Sequence, residues 1–182
     1  MQADRRTLLW VFAINAGFFI AESIAGWLAR SMGLVADGLD MLADAFVYGL
    51  ALAAIGKAVE HKRRVAHISG YIQLGLAMLG FAEVLRRTFL HEAMPEPLTM
   101  LVVSLCALSG NLVCLYLLRK AKGGEAHMQA SWIFTSTDAK VNVGVMVAAG
   151  LVALTGTHWP DLVVGTVVFA LVLRGAVRIL RL

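Results

Sequence analysis

The chain has 182 residues, 59% hydrophobic and 15% charged, with a mean hydropathy of +0.77. A soluble domain carries about 45–50% apolar and about 25% charged residues, so this composition excludes a water-dispersed globule and points to lipid. The net charge of +4 does not indicate nucleic acid, because the basic residues sit in short clusters between apolar runs and no basic face with interleaved aromatics is present.

A spanning helix needs about 20 mostly apolar residues, and six such runs predict an all-α membrane protein. A single transmembrane domain over residues 1–182 is expected, with no soluble domain. The first helix is expected over 7–29. It is too long for the apolar region of a signal peptide and no small-residue cleavage site is present, so it reads as a retained helix. It carries Asn15 and Glu22, seven apart on one face. After Arg30-Ser31-Met32, the second run covers 33–58 and holds Asp37, Asp40 and Asp44. The third run, 68–90, follows a basic interruption at 59–67. The fourth, 98–118, contains the two cysteines, Cys106 and Cys114, which lack a CxxC spacing and read as small apolar residues. The fifth, 128–155, holds Asp138, Lys140 and Asn142, and the sixth covers 161–180.

The loop charges predict orientation. Arg5, Arg6, Lys57, Lys62, Arg63, Arg64, Arg119, Lys120, Lys122, Arg178 and Arg181 would share one side, and only Arg30, Arg86 and Arg87 the other. The basic side faces the cytoplasm, which puts both termini there. Trp10, Trp132 and Trp159 fall near helix ends, where interfacial rings belong. His61, His67, His91, His127 and His158 fall in or near loops and read as solvated, with His127 near the cytoplasmic mouth of helix five.

The carboxylates carry the chemistry. A charge at a helix centre in the bilayer costs about 2.5 kcal/mol or more and usually serves a function. Asp37, Asp40 and Asp44 share one helix face at about 100° per residue. Asp44 and Asp138 both reach mid-membrane depth on antiparallel helices, so Asp40, Asp44 and Asp138 converge if these helices pack together. Three carboxylates at one point repel unless protons or a cation balance them, and a divalent cation exchanged for protons meets that need. Asp37, Thr135 and Asn142 are candidates for a further ligand or for supporting hydrogen bonds. Asp37 also reads as a charge near water at the helix start. Glu22 and Asn15 are candidates for a proton relay. Lys140 matches the depth of Asp37 and Asp40 and is a candidate neutralising partner.

The stretch from Ala21 to Asp44, AESIAGWLARSMGLVADGLDMLAD, resembles the first two helices of the cation diffusion facilitators. The run from Asp138 through Asn142 to Gly144 is similar to their fifth helix, and THWPDLVVG to their approach to helix six. The resemblance implies a proton-coupled exporter of zinc, cadmium, cobalt, iron or manganese, working as a homodimer in a lipid bilayer, with no permanent cofactor and no enzymatic activity. It implies Asp40, Asp44 and Asp138 as metal ligands. The family's fourth ligand comes four residues before the helix-five aspartate, where this chain has Phe134. Most members continue into a cytoplasmic metal-binding domain, and the chain resembles the short members lacking it.

The expected mechanism is metal/proton antiport by alternating access, at a bacterial inner membrane. Zn2+ leads, with Cd2+ and Co2+ as companions and Mn2+ admitted by an all-oxygen site. The alternatives are a non-transporting or regulatory relative with a decayed site, and a transporter of another cation such as manganese, magnesium or sodium. An intramembrane aspartyl protease is disfavoured, because Asp40 follows Leu39 and Asp138 sits in Ser-Thr-Asp-Ala, without the YD and GxGD motifs of that class.

Overall fold

The computed structural model describes residues 2–54, 59–89, 94–120 and 126–181. They form six α-helices: α1 (Gln2–Leu28), α2 (Met32–Ala54), α3 (Val59–Phe89), α4 (Pro97–Lys120), α5 (Ala126–Thr155) and α6 (Trp159–Leu180). There is no strand among the described residues. Among the described residues, four helices hold stretches long and apolar enough to cross a membrane: Arg5–Leu28, Pro97–Arg119, Asp138–Thr155 and Trp159–Val177. In α2 the three aspartates interrupt the apolar character. One sequence expectation is corrected, since 59–67 is not a loop but the opening turns of α3. The same stretch carries His67, so that histidine is helical and half-buried.

Large apolar side chains cover the outside, with Trp27, Leu79 and Leu154 more than two-thirds exposed. A surface of that kind fits lipid and not water. The interior holds α2, which touches all five other helices. Because α2 is enclosed, it is buried on opposite sides, with Leu34, Met41 and Ala45 buried on one face and Ala36 nearly opposite.

The α1–α2 hairpin closes through a left-handed residue, Arg30, at φ 57°. The Ser31 N–H donates to the Gly26 carbonyl at 2.9 Å, the helix-ending pattern in which a left-handed residue turns the chain. Arg87 of α3 donates from Nη1 to the Arg30 carbonyl at 2.6 Å, and the Glu96 N–H donates to Ala29 at 2.9 Å. Glycine lets the two helices approach, since a Cβ at Gly26 would sit 2.8 Å from the Val35 nitrogen. Further along the hairpin Glu22 and Ser23 lie against Gly38, and Phe12 against Gly49, which fixes the antiparallel register.

Candidate metal centre

The α2 face that carries the aspartates is turned into the bundle. Asp37 is 0% exposed and Asp44 3%, while Asp40 is half-buried. The expectation that Asp37 sits near water is therefore corrected: it is enclosed where α1 packs on α2. Tyr48, one turn beyond Asp44, is fully buried and donates its hydroxyl to Asp44 Oδ2 at 3.1 Å.

Helices α5 and α1 bring the remaining groups. Asp138 is 2% exposed and its Oδ2 has no partner among the described residues. Asn142 Nδ2 donates to the Asp138 carbonyl at 3.0 Å, and Asn15 Nδ2 to the Val11 carbonyl at 2.8 Å. Both amides thus fold back onto their own helices, and both leave their oxygens without a partner among the described residues. Glu22 is fully buried, and its carboxyl oxygens and those of Asp37 find no donor among the described residues.

The carboxyls meet in pairs. Asp44 and Asp138 come within hydrogen-bonding reach of each other, as do Glu22 and Asp37. Asp40 lies within electrostatic reach of Glu22, Asp37, Asp44 and Asp138. Two enclosed carboxylates so close together require a proton or a cation between them. In this conformation no group of three carboxyl, imidazole or thiol side chains among the described residues converges tightly enough to hold an ion. The cluster consists of two close carboxyl pairs with Asp40 beside them.

Lys140 does not neutralise the cluster. It is exposed, because two residues along a helix turn it away from Asp138, and it makes no ion pair with any described residue. The side chains of Phe134, Thr135 and His127 lie outside those described. Sequence reasoning missed four residues. Tyr48 gave no signal beyond an aromatic in an apolar run. Ser104 and Asn111 of α4 are fully buried and have polar atoms without a partner among the described residues, and their spacing of seven is the signal already used for Asn15 and Glu22. Asp161 was read only as the start of α6. It is 1% exposed and accepts from Ser31 Oγ at 2.6 Å, the Met32 N–H at 2.7 Å and the Gly33 N–H at 3.0 Å. A carboxylate from α6 thus caps the N-terminus of α2, satisfying donors that a helix start leaves open.

The profile of the cation efflux transmembrane domain family matches residues 8–181. The zinc transporter ZitB of Yersinia pestis is 30% identical over 194 aligned residues, covering 98% of this chain and 61% of the relative. A cadmium, cobalt and zinc/H(+)-K(+) antiporter of Bacillus velezensis is 25% identical, with 97% and 61% covered. The metal cation efflux system protein CzcD of Cupriavidus metallidurans is 27% identical, with 87% and 54% covered. The chain spans about three-fifths of the length of the curated relatives it matches. The lipid-facing surface, the enclosed carboxylates and the family match over nearly every residue agree on a multi-pass membrane protein with bacterial relatives. The chain belongs to the cation efflux transmembrane domain family.

Proposed function

We propose that this chain exports divalent transition-metal cations by exchange with protons, with Asp40, Asp44 and Asp138 as ligands. One observation carries the proposal: α1, α2 and α5 turn five carboxyls inward, four of them enclosed, with no cationic side chain among the described residues to balance them. Zinc stands first among the ions, followed by cadmium and cobalt, in keeping with the names of the relatives. All-oxygen ligands also admit manganese. The six helices each cross the bilayer, with the termini in the cytoplasm, in line with the distribution of Lys and Arg.

The residues divide the work. The Asp44–Asp138 pair holds protons when empty, and ligands must lose them to bind metal. Tyr48 donates to Asp44 and holds its carboxylate toward the pair. Asp40, the one half-buried member, gives an ion its path in. The Glu22–Asp37 pair, nearer the α1–α2 turn, receives the displaced protons and returns them when the site faces outward.

Transport into proteoliposomes tests this. Zinc, cadmium, cobalt and manganese are offered separately with and without an imposed proton gradient, beside Asp44→Ala. Uptake should require the gradient and vanish in the variant. Folded, inserted protein that moves none of these ions would sink the proposal in favour of a non-transporting relative.

A further inference from the structure

Helix α4 turns a buried stripe into the bundle that is apolar except at Ser104 and Asn111. Met100, Ser104, Ala107, Asn111, Cys114 and Leu118 are buried at spacings of four and three, while Leu105, Leu112 and Tyr116 face outward. Asn111 is fully buried, and neither its amide oxygen nor its amide nitrogen has a partner among the described residues. An asparagine that joins helices would show a hydrogen bond across the interface. A buried amide without one carries a desolvation cost that something else must offset.

The register gives its depth. Phe12 lies against Gly49 and Glu22 against Gly38, so Phe18, between them on α1, stands level with the Asp40–Asp44 interval of α2. The Phe18 ring presses on Gly110 of α4, which brings Asn111 to that level. Cys114, the next buried member of the stripe, lies within electrostatic reach of Asp44. Asn111 therefore opens onto the interior at the height of the carboxylates.

The three aspartates do not complete a coordination shell. Zinc takes four donors, and harder divalent ions take six, from oxygen. An amide oxygen is a hard, neutral donor that adds no charge to a crowded acidic site. We propose that the Asn111 amide oxygen is a ligand of the transported cation, supplied by α4 to a set begun by α2 and α5. The proposal rests on the cation-transport reading above.

Cobalt(II) is the probe, since its visible absorption reports the ligand set and titration gives affinity. In the detergent-solubilised chain Asn111→Leu should lose at least tenfold in Co2+ affinity and change the absorption band. Its thermal stability should hold or rise, because an unpartnered amide has been exchanged for an apolar group of similar size. Asn111→Asp keeps an oxygen in place and should keep binding. A purely structural asparagine would instead lower the melting temperature and spare the spectrum. Unchanged affinity and spectrum in Asn111→Leu, with a water molecule as the remaining donor, would overturn the assignment. So would loss of binding in a folded Asn111→Asp. A wild-type chain that binds no Co2+ would remove the cation site itself, an outcome distinct from removing Asn111 from it.

Discussion

Arg30 occupies a backbone region that glycine adopts freely and other residues reach at a cost of about 1–2 kcal/mol. Its contact with Arg87 runs through its carbonyl, which any residue would supply. Arg30→Gly should therefore stabilise the chain by about 0.5–1 kcal/mol, after allowing for the greater freedom of glycine in the unfolded state. Thermal unfolding in detergent measures this, and a lower melting temperature would show that the arginine side chain itself holds the turn. At this scale the carboxylates were legible, since an acid inside an apolar run stands out. Their surroundings were not. The enclosure of Asp37 depends on α1 packing at Gly38, and the outward turn of Lys140 on how α5 is rotated in the bundle. The neutral polar residues of α4 were overlooked because a serine or asparagine lowers hydropathy far less than an aspartate does.

Helix α2 is held at its start by another element. Asp161 caps it from 130 residues away in sequence, and Ser31 Oγ also accepts from the Leu34 N–H at 3.1 Å. Asp161→Ala leaves two backbone N–H groups and the Ser31 hydroxyl hydrogen enclosed without an acceptor and should cost about 2 kcal/mol, the upper range for a helix cap. Because α2 carries Asp40 and Asp44, Co2+ binding should weaken as well, and Ser31→Ala should show a smaller effect of the same kind. Thermal unfolding combined with Co2+ titration checks both effects. Full affinity in a destabilised Asp161→Ala would mean that the cap steadies the fold without positioning the site. Helices themselves were readable from apolar runs of sufficient length. The start of α3 was not, because its charged first turns need only headgroups or water around them and hydropathy ends where the lipid does. The cap was equally hidden, since no periodicity relates Asp161 to Ser31.

Across the whole molecule, the buried apolar side chains gather in two clusters. The larger joins Met32, Leu34, Val145, Phe169 and their neighbours near the α1–α2 turn. The smaller packs Leu8 and Val11 of α1, Tyr48 of α2, and Cys114 and Leu118 of α4, with Phe12 and Leu52 against it. In the proposed orientation the smaller cluster lies on the cytoplasmic side of Asp44 and closes α1, α2 and α4 over the site. Exchange with the cytoplasm then requires these helices to part, and a packed apolar contact separates in discrete steps, not by gradual deformation. Cys114 reports that event, because it is buried in the cluster whereas Cys106 is exposed. In a Cys106→Ser background a water-soluble maleimide should label Cys114 slowly while the cluster is closed. Protons shift the balance of states only through groups that bind them differently in each state. A pH step should thus change the labelling rate, corrected for the reactivity of a free thiol, by about tenfold for a population shift of that size. Asp138→Asn, which cannot exchange a proton with Asp44, should blunt the response. A corrected rate that ignores pH in the parent chain would mean the cluster is fixed packing and the site opens elsewhere.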